Sequence, residues 1–149
     1  MKVDLSIVHA CFEHTVGRVK YKLGAKPALG SDSSTFSLSD CSGWVRWVLD
    51  RAGLRIPDGS ATQHKFCAAH FREVHYKDAA TLADPSRLFI AFIAPNGGIG
   101  HVWLLQGGTA ANPGITMECH GGGVGVSSRP WDTPALRNVC ACYEIPLGE

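Results

Sequence analysis

The sequence predicts an α+β fold in which N-terminal helices pack on a C-terminal antiparallel β-sheet. Three observations lead there. In the first half of the chain apolar side chains recur every three to four residues, the period of a helix with one buried face. After about residue 85 the texture changes to short apolar runs bounded by glycine and proline, as strands are. The two textures do not alternate, which removes the βαβ pattern of a parallel sheet. At 149 residues a single domain, 1–149, can bury a core without staples or metals.

Leu5, Val8, Phe12, Val16 and Val19 step by three and four and predict a first helix with Asp4 at its N-cap. His9 and His14 fall off that stripe and read as solvated surface histidines. From Gly24 to Leu38 the Gly, Pro, Ser and Asp content predicts a long loop, and loops of that length in small domains usually serve function. The loop leads to Ser39-Asp40-Cys41-Ser42-Gly43-Trp44-Val45, where a polar turn gives way to a second helix. Val45, Val48, Leu49 and Ala52 carry its period, and Gly53 stops it. Pro57-Asp58-Gly59 is a turn, after which Ser60 caps a third helix through Gln63, Phe66, Cys67 and Ala69. Leu88 to Ala94, His101 to Gln106, Ile115 to His120 and Val139 to Ile145 read as strands. Pro95-Asn96-Gly97-Gly98 and Gly107-Gly108 read as hairpin connections. The run Gly121-Gly122-Gly123-Val124-Gly125 lacks the lysine and hydroxyl of a phosphate loop and the third glycine of a dinucleotide fingerprint.

Composition narrows the functions. A hydrophobic fraction of 45%, a charged fraction of 18% and a formal charge of +1 fit a folded domain with no polyanion footprint, so nucleic acid is not an expected partner. Seven histidines raise the charge as pH falls toward 6, which allows modest attraction to anionic polymers. No apolar run approaches a membrane span. Met1-Lys2-Val3-Asp4 leads straight into the amphipathic pattern without the regions of a signal peptide, so synthesis in the cytoplasm is expected, with another route to any outside substrate. The six cysteines, at 11, 41, 67, 119, 140 and 142, read as mostly reduced thiols in a chain too large to need a disulfide framework.

Cys41 is placed in the first turn of a helix. Free backbone N–H groups and the positive end of the helix dipole lie there, and both favour a thiolate. A cysteine nucleophile also needs a base and a third group that holds the base in the right tautomer. His101 opens one predicted strand and His120 closes the next. In neighbouring antiparallel strands a start lies beside an end, so the two histidines can pair.

Other groupings are weaker. Cys140 and Cys142, with Cys119 and His120, can be drawn as a zinc site, but spacing by one residue within a strand suits tetrahedral ligation poorly. Cys67 with His70 and Cys11 with His14 are helical pairs without a third group. No metal or cofactor is expected. Trp44, Trp47 and Trp103 read as core or groove wall, and Trp131 as a residue lining a cleft.

Tyr21-Lys22-Leu23-Gly24, Asp40-Cys41-Ser42-Gly43, Ile56-Pro57-Asp58-Gly59-Ser60 with Gln63, Gly100-His101-Val102 and His120 together resemble the NlpC-type cell-wall peptidases, from about Val19 to Pro130. The resemblance implies a papain-like fold, a Cys-His-His site and hydrolysis of amide bonds in peptidoglycan stem peptides; the expected cut lies next to D-glutamate or diaminopimelate, and a monomer is expected. It places Tyr21 at the active site and has Asp40 and Ser42 shape the pocket near the nucleophile. Two features depart from the family: Leu23 and Ala25 stand where a tryptophan and a second glycine are usual, and Trp103 where a small residue is usual. The stretch from Ser39 to Leu49, with Pro57-Asp58-Gly59-Ser60, also resembles phage members of the family. That fits the missing signal peptide and implies delivery to the wall or periplasm by phage lysis, a phage tail or a secretion machine.

The mechanism expected from these residues begins with His101 taking the Cys41 proton. The thiolate attacks a peptide carbonyl, and the Cys41 N–H and Tyr21 hydroxyl meet the oxyanion. His101 then protonates the leaving amine, water hydrolyses the thioester, and His120 orients His101. Two alternatives keep the fold: acyl transfer to an amine or lipid, and a catalytically silent wall-binding or structural module.

Overall fold

Asp4 starts the first helix as expected, its carboxylate accepting the Ser6 N–H at 3.0 Å. The computed structural model describes residues 2–76, 78–79, 85–94, 100–108, 111, 114–129 and 139–148. Helix α1 runs Leu5–Thr15, shorter than the apolar stripe that carries on to Val19. The Thr15 hydroxyl turns back onto the Cys11 carbonyl at 2.7 Å, and Gly17 follows with a φ of 73°. The helix ends there, leaving Val16 exposed. Val19 is buried all the same, in the bend that leads into β1 (Lys20–Tyr21), its N–H donating to the Thr15 carbonyl at 3.0 Å.

Strand β1 pairs in parallel with β2 (Leu38–Ser39), Tyr21 opposite Ser39. The loop between them is therefore tied at both ends, and the Trp47 indole anchors it by donating to the Ser31 carbonyl at 3.0 Å. Helix α2 (Cys41–Arg51) is the central element, with Trp44, Val45, Trp47, Val48 and Leu49 all buried. Its Trp44 indole donates to the Thr15 hydroxyl at 3.1 Å, which locks α1 onto it. Each such side chain contributes about 2–3 kcal/mol by leaving water. Helix α3 (Ser60–His70) begins one residue earlier than expected: Gly59 holds the cap position, and Ser60 is the first helical residue.

The remaining strands are β3 (Arg72–Glu73), β4 (Leu88–Ile93), β5 (His101–Gln106), β6 (Ile115–His120), β7 (Gly125–Ser127) and β8 (Val139–Ile145). They form an antiparallel sheet in the order β3-β8-β4-β5-β6-β7. The expected α+β architecture is thus present, with β4 ending at Ile93 instead of Ala94. One face of the sheet carries Phe92, Val102, Leu104, Met117 and Cys119 against the helices. The other carries Phe89, Ala91, Trp103, Leu105 and Cys142, with Tyr76 and Ala79 packed on it. The expected Pro95–Gly98 connection and Trp131 lie outside the described residues. Among the described residues, no helix is long and apolar enough to cross a membrane.

The two ends of the chain meet. Val3 bridges Leu147 in parallel, and the Asp4 N–H donates to the Ala52 carbonyl at 2.9 Å, at the C-terminal end of α2.

Part of the glycine run has a structural purpose. The Val126 N–H donates to the Val19 carbonyl at 2.9 Å, which brings β7 against the chain entering β1. Gly125 has a φ of 77°, and a Cβ there would stand 2.2 Å from the Val19 oxygen. Gly125→Ala is expected to destabilise the fold by at least ~2 kcal/mol, read as a lower urea midpoint with an unchanged slope.

Candidate active site

Asp40 sets up the start of α2. Its backbone is extended, and its Oδ1 accepts the Gly43 N–H at 2.7 Å, a buried N-cap bond. Oδ2 accepts the Gly24 N–H at 3.2 Å and the Lys26 ammonium at 2.7 Å. The cap therefore also holds the base of the β1–β2 loop. Lys26 goes on to Ser42 Oγ at 2.9 Å and Asp58 at 3.2 Å. Asp40 and Ser42 are both nearly buried, so they brace the helix start and the loop beside it. Gly43 is needed for the same approach: a Cβ there would lie 2.8 Å from Asp40 Oδ1 and 3.1 Å from the Ala25 carbonyl. Gln63, buried on α3, donates to the Ser42 carbonyl at 3.0 Å and the Pro57 carbonyl at 3.1 Å, which pins the turn before α3 to the same place.

Cys41 is the first residue of α2 and is 7% exposed. His101 is the first residue of β5, and its ring has the Cys41 side chain within hydrogen-bonding reach. Strand alternation along β6 puts Thr116, Glu118 and His120 on the face where His101 projects from β5. His101 Nε2 lies 3.0 Å from Glu118 Oε1, and Glu118 is fully buried. The Thr116 hydroxyl donates to Glu118 Oε2 at 2.6 Å, and the Arg129 N–H donates to Thr116 Oγ1 at 2.8 Å. Burial is the largest influence on the His101 pKa and lowers it. Cys41 and Glu118 together outweigh burial and hold the imidazole above its ordinary value.

The geometry adds a residue to the expected set: the carboxylate of Glu118, two residues before His120 on the same face, lies within hydrogen-bonding distance of the His101 ring. His120 stands edge-on to His101, with ring centroids 5.4 Å apart, and its Nδ1 lies 2.8 Å from the Gly121 carbonyl. The Arg129 guanidinium lies against its ring, 3.4 and 3.3 Å from the two nitrogens. Burial first, then Arg129 and His101, lower the His120 pKa, against the Gly121 carbonyl, which raises it. Glu118 had one signal in the sequence. Thr116, Glu118 and His120 are polar at period two among Met117 and Cys119, a polar face on a strand otherwise buried.

Tyr21 lies beside the site, its ring 3.7 Å from where a Gly121 Cβ would stand. Burial, then the Cys41 and Asp40 charges, raise its pKa, so the phenol keeps its proton and can donate. Trp103 is fully buried and tilted against His101, centroids 5.3 Å apart. Its bulk is thus core on the outer face of the sheet and backs the imidazole. The Cys119 thiol donates to the Ser39 carbonyl at 3.3 Å, and burial first pushes its pKa up to about 12. Cys119 and Cys142 face opposite sides of the sheet, so the cysteine-rich zinc grouping does not assemble.

No family model and no curated protein sequence matches the chain. Solved structures do. The P60 domain of antigen MAP1204 from M. avium subspecies paratuberculosis aligns with a TM-score of 0.63 at 21% identity, over 97% of this chain and 95% of that one. The peptidoglycan hydrolase RipB of Mycobacterium tuberculosis aligns with a TM-score of 0.59 at 23% identity, over 97% of this chain and 65% of RipB. RipD of the same organism, a non-catalytic NlpC/p60 domain protein adapted to peptidoglycan binding, aligns with a TM-score of 0.56 at 20% identity, over 96% of each chain.

Proposed function

Starting from the NlpC/P60 fold that this chain has, we propose that it is a thiol hydrolase of bacterial cell-wall stem peptides, with Cys41 as nucleophile, His101 as base and acid, and Glu118 as the group that holds His101. The observation that carries this reading is the alignment of Cys41, His101 and a buried carboxylate at the start of α2. A module that only binds wall has no use for a buried glutamate against an imidazole, which costs desolvation that a neutral pair would avoid.

The reaction runs as follows. His101 accepts the Cys41 proton and is stabilised as imidazolium by Glu118. The thiolate adds to the peptide carbonyl, whose oxygen is met by the Cys41 N–H, unpaired in the first turn, and by the Tyr21 hydroxyl. Collapse of the adduct breaks the C–N bond, and the His101 proton goes to the leaving amine. Water, deprotonated by His101, then cleaves the thioester and regenerates the thiol. The Asp40–Lys26–Ser42 cluster shapes the rim on which the stem peptide lies. Such an enzyme acts at the wall or periplasm, reached by phage lysis, a phage tail or a secretion machine.

The test is mass spectrometry of purified peptidoglycan after incubation with the protein in a metal chelator. Hydrolysis gives shorter stem peptides with one new free amine per cut. Fragments joined to an added amine would mean acyl transfer, and wall that binds the protein but stays intact would mean a silent module; either result overturns the proposal.

A further inference from the structure

Three side chains with metal-ligating atoms meet on one face of the sheet. His101, Glu118 and His120 each offer one donor atom within 4.8 Å of the other two. Ligands held at zinc distances in a tetrahedron stand roughly 3.4 Å apart. His101 Nε2 and Glu118 Oε1 are already at 3.0 Å, and the His120 donor atom lies within 4.8 Å of both.

The other polar atom of each ligand is already engaged. Thr116 holds Glu118 Oε2 and leaves Oε1 to face the trio. The Gly121 carbonyl fixes the proton of His120 on Nδ1 and leaves Nε2 with its lone pair. His101 turns Nε2 to the trio, which leaves Nδ1 for Cys41. Outer partners of this kind set the tautomer and aim of metal ligands.

The geometry points to a binding site for a divalent transition-metal ion of the zinc class at His101 Nε2, Glu118 Oε1 and His120 Nε2, with water as fourth ligand. Binding forms three protein-to-metal bonds, moves the single proton of the neutral His101 ring from Nε2 to Nδ1, and transfers no electron. A metallated Nε2 leaves the imidazole with its proton on Nδ1 and no lone pair for the Cys41 proton. The ion therefore switches the thiol chemistry off. That regulatory consequence rests on the hydrolase reading, whereas the binding itself does not. Arg129 opposes the ion, since its guanidinium lies over the His120 ring face.

Calorimetric titration of the metal-free chain with Zn2+ tests the site. One ion per chain is expected. Glu118→Gln and His120→Ala should each weaken binding by about tenfold or more, and Thr116→Val, outside the trio, should weaken it by a similar factor through Glu118. Arg129→Ala should tighten it and Cys41→Ser should leave it, with thermal melting confirming that each variant folds. Co2+ in place of Zn2+ should give absorption bands of nitrogen and oxygen ligation without a thiolate charge-transfer band. No binding to the native chain, binding untouched by all three weakening variants, or binding lost in Cys41→Ser would overturn the proposal. Tight Zn2+ binding with no hydrolysis in chelator would retire the hydrolase and keep the site. Hydrolysis in chelator that added Zn2+ leaves unchanged would do the reverse.

Discussion

Cys41→Ala is expected to abolish the proposed hydrolysis of stem peptides and to leave the chain folded. Losing the nucleophile of a concerted site lowers kcat by about 10⁴–10⁶-fold, because the base and the oxyanion donors have nothing to act upon. The fold is little affected. The Asp40 cap bond is to Gly43 and does not use the sulfur, and alanine suits a helix start as well as cysteine does. The measurement pairs a rate on a defined stem peptide with a thermal melt and a wall-sedimentation assay. Loss of rate with an unchanged melt and unchanged sedimentation is the expected pattern. A rate within tenfold of native would remove Cys41 from the chemistry.

Glu118→Gln is the second large effect. The amide keeps the shape of the side chain but removes the charge that stabilises imidazolium and can present an N–H where His101 needs an acceptor. A fall in kcat/KM of about 10²–10⁴-fold is expected, the range for loss of an orienting carboxylate. The pH profile gives the sign. His101 must be protonated to serve the leaving amine, so activity is lost as pH rises through its pKa, which burial lowers and Cys41 and Glu118 raise. Without Glu118 one of the raising influences is gone, and the alkaline limb moves to lower pH. His120→Ala should leave that limb near its native place. Both profiles are taken in chelator. If His120→Ala moves the limb and Glu118→Gln does not, His120 is the orienting residue after all.

The contrast between Glu118 and His120 shows where a linear reading stops. Helix α2 is legible from its buried stripe at helical period, and strands β4, β5, β6 and β8 as short, mostly buried apolar runs. The two-residue strands β1, β2 and β3 carry no period; they exist through partners up to 72 residues away, as the Arg72–Glu144 ion pair alongside β3 illustrates. Helix α1 stops short of its apolar stripe because Thr15 and Gly17 end it locally while Val19 stays buried by another route. For the site, the first turn of a helix points to Cys41 and the start and end of neighbouring strands to His101 and His120, whereas Glu118 is not singled out. Which of two polar residues on β6 touches His101 depends on reach across a strand pair, a matter of two residues' rise, about 7 Å, that sequence spacing does not resolve.

The meeting of Val3 with Leu147 beside Ala52 has a consequence for assembly. Cys41 opens the 11-residue helix whose far end receives both ends of the chain, and such a helix is about 16 Å long. Anything fused before Val3 or after Leu147 departs from one shared corner, remote from the sulfur. The domain can therefore be strung between neighbours like a bead with both holes on one side, away from the end of α2 that carries Cys41.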